Sequence, residues 1–368
     1  MPGQGTGLDS AAWHRDRSLR VLPAPRGTRD GVAAIWVLCE ALERLGVEFA
    51  DGSPSGTLEN IDICHMHWPE YAMGADGAWQ RLIDAGRFFG KLALMKMYGA
   101  RLIWTAHNIY PHDTAPRRSL EVFYCLLFHL LDGLIFLNEA SRDLFYRRHP
   151  RSRTCTAAVI PLAHVRSIFA DVAETGLRKP DSRQLLFFGV IRPYKGLDRL
   201  VTAFGALADS RARLVCAGAA FANPDYMNWI VQRAAADARI DLRIGWVPER
   251  ETATLFAASA VVVLPYRDLL NSGVSILALS LDRPVLMPET PSSLELRNDI
   301  GSEWVMTYEG ELTPQVLSRS LAWAMEARTG SPDLSAFDPD AVARRTLDFY
   351  LRVRVRGRAA GHAGQARR

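Results

Sequence analysis

Two runs in the second half of the chain carry the residue types that bind phosphate. The apolar stretch Leu185-Leu186-Phe187-Phe188 stops at Gly189, and Arg192, Lys195 and Gly196 follow at once. Gly189 lets the backbone turn closely, and two cations three residues apart can neutralise a diphosphate. The same pattern would serve a tight turn with two solvated cations, but a strand–loop–helix setting favours the phosphate site. The other run is Tyr266, Arg267, Asn271, Ser272 and Gly273, followed by an apolar helical stretch over 274–281. Asn and Ser are ordinary N-caps. The free N–H groups and the positive dipole end at such a terminus also make an anion site.

The first half holds a different chemistry. His65, His67, Trp68 and Glu70 crowd one strand end, and His107, Asn108, His112 and Asp113 crowd another. Buried, hydrogen-bonded histidines would explain part of this. A metal would need a fuller ligand set, and no cysteine or carboxylate stands at a familiar tetrahedral spacing, so no metal is expected. General acid–base work and sugar-hydroxyl contacts suit these residue types best.

Positioning such residues takes alternating strands and helices. Apolar runs predict strands over 61–65, 102–105, 133–136, 157–160, 185–188, 214–216, 242–244, 260–264 and 284–287. Helical spacing recurs over 79–98, 120–131, 197–208, 229–238 and 250–258. Nearly all-apolar strands between amphipathic helices read as parallel sheets covered on both faces, an α/β architecture. The polar stretch 170–183 reads as a linker, giving domains over 1–170 and 171–340. A last helix and a flexible basic tail are expected over 341–368. Ligands of open α/β sheets sit at the carboxyl ends of the strands, so the chemistry belongs in a cleft between the domains.

Composition narrows the classes. With 48% hydrophobic and 23% charged residues, the 368-residue chain is an ordinary globular one. No apolar run approaches the roughly 20 residues of a membrane span. The polar N-terminus lacks the apolar core of a signal peptide. Five scattered cysteines fit reduced thiols in the cytoplasm. The net charge of +4 is mild, only four of 44 basic residues are lysine, and no nucleic-acid motif is visible. The stretch 79–101 pairs Trp79, Phe88, Phe89 and Met97 with five cations. It reads as a core-packing helix with a solvated basic face, or as a helix lying on an anionic membrane surface.

The blocks IDICHMHWPEY, TAHNIYPHD, LLFFGVIRPYKGLD, LPYRDLLNSGVSILALSLDRPVL and WVMTYEGEL run in order from about residue 61 to 312. Together they resemble the bacterial GDP-mannose:glycolipid β-mannosyltransferases of xanthan-type exopolysaccharide assembly, glycosyltransferase family 94. The resemblance implies a GT-B fold, with two Rossmann-like domains facing each other across a cleft, the first taking acceptor and the second nucleotide sugar. It also implies inverting transfer of mannose from GDP-mannose to a lipid-linked (polyprenyl diphosphate) oligosaccharide at the inner face of the cell membrane, with no metal or other cofactor. In that frame Glu70 is the favoured base, with Asp113 close behind. His107 is the further acid–base candidate, or joins Asn108 on sugar hydroxyls or phosphate. His67 and Trp68 contact acceptor or sugar. Gly189, Arg192, Lys195, Tyr266, Arg267, Asn271, Ser272 and Gly273 hold the diphosphate.

Retaining GT-B enzymes provide a contrast. Gly189 and Lys195 keep their spacing, but the arginine stands at 192 rather than 190. Leu270 and Leu277 occupy the positions of their two glutamates, which disfavours retention. A retaining transferase using another nucleotide sugar and a non-catalytic sugar-nucleotide-binding protein are the alternatives. A nicotinamide-dependent oxidoreductase would require G-x-G-x-x-G after a strand, which is missing.

Overall fold

The computed structural model describes residues 18–29, 31–50, 58, 60–73, 78–108, 118–170, 181–266, 270–326 and 330–365. Among them the strands form two six-stranded sheets, parallel throughout. The first contains β1 (Arg20–Ala24), β2 (Glu48–Phe49), β3 (Ile63–His67), β4 (Arg101–Ala106), β5 (Gly133–Phe136) and β6 (Thr156–Val159), in the order β2-β1-β3-β4-β5-β6. Its helices are α1 (Ala33–Arg44), α2 (Ala78–Met97), α3 (Arg118–Leu130) and α4 (Glu139–Arg148). The second contains β7 (Asp181–Phe188), β8 (Arg213–Gly218), β9 (Ile240–Ile244), β10 (Ser259–Val263), β11 (Val285–Pro288) and β12 (Val305–Tyr308), in the order β12-β11-β10-β7-β8-β9. It carries α5 (Leu197–Gly205), α6 (Pro224–Ala235), α7 (Glu249–Ala258), α8 (Gly273–Ser280), α9 (Pro291–Ile300) and α10 (Pro314–Ala324).

Strands buried on both faces explain the apolar runs. All five residues of β3 and β10 are buried, including His65 and His67, which share one face of β3. Strand order reverses between β1 and β3 in one sheet and between β7 and β10 in the other. The loops leaving β3, β7 and β10 therefore open at the switch points, where a crevice forms. These loops carry Trp68 to Glu70, Gly189 to Lys195, and Tyr266 to Ser272.

Three strands escape the apolar-run reading. β1 contains Pro23, β2 has two residues, and β12 is short and only partly buried. The C-terminal segment also differs from the expected tail. Helix α11 (Pro339–Gln365) runs through the Ala/Arg-rich stretch, both strong helix formers, and returns to the first domain. Val342, Leu347, Phe349, Tyr350 and Val353 enter the same core as Val21, Ile63 and Ile103. Arg354 pairs with Asp62 at 3.1 Å.

Gly196 closes the loop after β7. Its φ is +69°, and a Cβ there would lie 2.1 Å from the Pro265 carbonyl oxygen, in the loop after β10. Gly196→Ala is thus expected to cost about 2–4 kcal/mol through clash and left-handed strain. A thermal melt checks this, and an unchanged midpoint would contradict the close approach.

Candidate active site

The wall from the second domain is built at the ends of β7 and β10. Gly189 turns the chain with φ of +100°, and a Cβ there would meet Lys195 Nζ at 3.4 Å and Val274 at 3.3 Å. Lys195 is only 7% exposed. Its Nζ lies 3.4 Å from the Tyr266 hydroxyl and 5.0 Å from the Tyr266 ring centre. Tyr266 is itself buried and hydrogen-bonded to Ser272. Burial holds Lys195 below the usual lysine range, and nearby Arg192 adds to the shift. Among the described residues no carboxylate forms an ion pair with Lys195. A desolvated ammonium without an anion is costly, so this wall favours a negative ligand.

Ser272 caps α8, its Oγ accepting the Ser275 N–H at 3.2 Å. Space is open where a Cβ would stand on Gly273, at the positive end of that helix. Gly189, Lys195, Tyr266, Ser272 and Gly273 therefore gather at one spot. Arg192 is half-buried, with its guanidinium carbon 5.4 Å from the Phe221 ring centre. Arg267 lies outside the described residues, as do His112 and Asp113.

The facing wall begins at β3. Trp68 has φ of +51°, a left-handed conformation that costs of order 1–3 kcal/mol in a bulky residue. Its indole stacks on His107, with ring centres 4.4 Å apart. Pro69–Met73 then forms a 3-10 turn that buries Glu70 to 5% exposure. Glu70 Oε2 is buried without a hydrogen-bond partner. Burial pushes the Glu70 carboxyl up to about 7, offset in part by a hydrogen bond to its own backbone N–H.

Behind this turn lie three imidazoles. His67 Nδ1 and His107 Nε2 are 2.9 Å apart, so one donates and the other accepts. His65 Nε2 lies 2.7 Å from Thr105 Oγ1, and His65 Nδ1 lies 2.7 Å from the Tyr350 hydroxyl. Burial, with His65 adding repulsion, lowers His107 to about 3; burial alone does the same to His65. His67 falls well below the usual range through burial and both neighbours. All three are neutral near pH 7, so His107 suits hydrogen bonds to hydroxyls better than acid catalysis. His67, expected as a sugar contact, is instead buried behind His107. Asn108 follows His107 in the loop and is half-buried.

A cavity of about 370 Å³ opens beside these groups, bordered by Leu137, Asn138 and Leu162 on one side and Leu270, Asn271 and Ser272 on the other; neither Lys195 nor Glu70 lines it. Asn271, expected on the diphosphate, has its side chain turned across the cleft: Nδ2 donates to the His107 carbonyl at 3.2 Å, and Oδ1 accepts from Asn138 Nδ2 at 2.8 Å. Glu295 of α9 accepts the Glu139 and Ala140 N–H groups, each at 2.8 Å. Asn138, Glu295 and Tyr350 were not singled out in the sequence. The Asn-Glu pair after the 133–136 strand was the one available signal, and it reads locally as a helix cap. Among the described residues no group of three or more His, Cys, Asp or Glu could hold a metal ion.

Comparison with known proteins agrees with this architecture. Residues 182–312 match the family model described as glycosyl transferases group 1. A GDP-mannose:glycolipid 4-β-D-mannosyltransferase of Xanthomonas campestris pv. campestris is 33% identical over 303 residues, 80% of each chain. Among solved structures, a sucrose-phosphate synthase from Thermosynechococcus elongatus superposes with a TM-score of 0.62 at 15% identity, over 92% of this chain and 99% of that one. Anabaena Alr3699/HepE in complex with UDP and glucose gives 0.59 at 13%, over 90% and 99%.

The buried acid has a thermodynamic signature. Raised from about 4.5 to about 7, Glu70 contributes stability that is present at low pH and lost as pH rises through 7. Glu70→Gln should therefore gain on wild type as pH rises from 5 to 8, by on the order of 3 kcal/mol. Parallel melting curves across that range would show the opposite, an acid exposed to water.

Proposed function

The chain belongs to the family of the GDP-mannose:glycolipid 4-β-D-mannosyltransferases and is a glycosyltransferase of GT-B fold, and we propose that it moves mannose from GDP-mannose to a hydroxyl of a lipid-linked oligosaccharide with inversion. The mechanism is supported by two desolvated groups, one in each domain: Lys195, with no carboxylate partner among the described residues, and Glu70, with one orphaned oxygen. A base near pH 7 is matched to taking a hydroxyl proton. As the acceptor oxygen attacks the anomeric carbon from the side away from GDP, Glu70 removes that proton. The bond from the anomeric carbon to the diphosphate oxygen breaks, and Lys195 with the α8 terminus stabilises the departing charge. These groups supply the positive field that a divalent metal would otherwise provide. Neutral His107 hydrogen-bonds a sugar hydroxyl.

The membrane surface is the second partner in this reading. Among the described residues no helix is long and apolar enough to cross a membrane. Helix α2 nevertheless presents Trp79, Leu82, Ile83, Leu94 and Met97 to solvent, while Leu92 and Met95 pack inward. Arg87 and Lys91 flank the stripe on the exposed side. An apolar stripe edged by cations suits an anionic lipid surface. It starts close to the Glu70 turn, whose Tyr71 is also exposed. A lipid-linked acceptor would thus reach Glu70 from the bilayer.

Kinetics with GDP-mannose and a lipid-linked glucuronosyl oligosaccharide separates the roles. Glu70→Gln is expected to lower kcat by about 100-fold or more while GDP affinity stays the same. Lys195→Ala should weaken GDP binding by about 10- to 100-fold, the loss of a charge-assisted contact. Proton NMR should show a β-linked product; an α anomer, or full activity in Glu70→Gln, would overturn the mechanism. Sedimentation with phosphatidylglycerol vesicles should pull down the protein, and the double substitution Trp79→Asp with Met97→Asp should release it. Equal binding of both forms would remove α2 from the docking surface.

A further inference from the structure

The cleft contains a directional chain of amides. Asn138 is the N-cap of α4, and its Oδ1 accepts the Ser141 N–H at 2.6 Å. That bond commits the oxygen, so the Nδ2 group must face away from the helix, across the cleft. There it meets Asn271 Oδ1 at 2.8 Å. Asn271 in turn is left with only donors to offer, and its Nδ2 finds the His107 carbonyl at 3.2 Å. Each amide orientation follows from the one before it. Alongside, the Glu295 carboxylate holds the first two N–H groups of α4, Glu139 and Ala140.

We infer that Asn271 is a positioning residue: through Asn138 and the His107 carbonyl it fixes the Ser272–Gly273 turn of one domain against the Trp68–His107 stack of the other. The inference rests on the reading of that turn as the diphosphate site, but it assigns Asn271 a different task from holding phosphate. Its backbone joins the turn while its side chain belongs to the opposite wall. Placement of leaving group and sugar contacts is thereby coupled through two side chains.

Asn138→Asp isolates the contact. Aspartate caps a helix as well as asparagine does, but it removes the cross-cleft donor. Either the Asn271 amide then faces another acceptor, or it flips and presents its oxygen to the His107 carbonyl; both break the chain. In the ligand-free protein, amide exchange of Glu139 and Ala140 should quicken about three- to tenfold in Asn138→Asp and in Asn271→Ala, as expected for loss of one neutral hydrogen bond. In Asn138→Asp the Ser141 amide should stay protected, since its cap is retained. With GDP-mannose and the lipid-linked acceptor, kcat should fall by a similar factor in each variant. The double variant should be no worse than either single one, and GDP affinity should stay within about twofold throughout.

Unchanged exchange at Glu139 and Ala140 in both variants would overturn the inference. So would tenfold weaker GDP binding in Asn271→Ala alone, because that assigns Asn271 to the phosphate. Failure of wild type to bind GDP would instead overturn the diphosphate site, leaving the exchange experiment to decide the amide chain.

Discussion

Desolvation is the constraint on which the cleft depends. Lys195 and Glu70 are each removed from water at a strand end, where an unpaired charge is expensive. Their environments push both toward the neutral form: lysine downward, glutamate upward. A fold bears such a cost when a ligand relieves it. An anionic leaving group would stabilise the charged lysine, and a proton from an attacking hydroxyl would neutralise the carboxylate. In the proposed displacement both would be relieved in one step, and among the described residues the two groups form no ion pair with each other.

Backbone geometry does the work of holding them. In the second sheet the close approach of the β7 and β10 loops requires Gly196, where a side chain would strike the Pro265 carbonyl. Gly189 leaves room for the Lys195 ammonium beside Val274. In the first sheet, left-handed Trp68 redirects the chain out of β3 into the short turn that buries Glu70. Both devices occur where strand order reverses, so the generic crevice of a parallel sheet becomes a specific one through a few unusual dihedrals.

What the sequence made legible follows the same division between local and distant causes. The Gly189–Lys195 loop and the Ser272 cap could be read because strand, turn and helix signals are contiguous. Glu70 could be singled out by its place after a strand. The burial that makes it basic could not, since that depends on packing of the turn against α2. The apolar run predicts a strand over 61–65, two residues short of the end of β3, because His67 looks polar although it is buried and hydrogen-bonded. Asn138 and Glu295 lie 133 and 24 residues from Asn271, and nothing in local pattern relates them. Helix α11 was visible as a helix, but its return to the first domain was not, because periodicity shows that a face is apolar and never what covers it.

That return has an electrostatic consequence. Tyr350, carried by α11, closes the polar end of His65, and the surrounding core buries His65 and His67, with His107 half-buried beside them. Were any of these imidazoles protonated, a cation would stand in the wall that carries Glu70 and would draw its carboxyl back toward the ordinary range. The lost basicity would be the quantity a proton acceptor needs most. A cation there would also compete with Lys195 for the leaving diphosphate and pull it toward the wrong wall. Keeping the histidines neutral would therefore preserve the polarity that the proposed mechanism needs, positive on one side and proton-accepting on the other, and the C-terminal helix would serve that mechanism by keeping His65 dry.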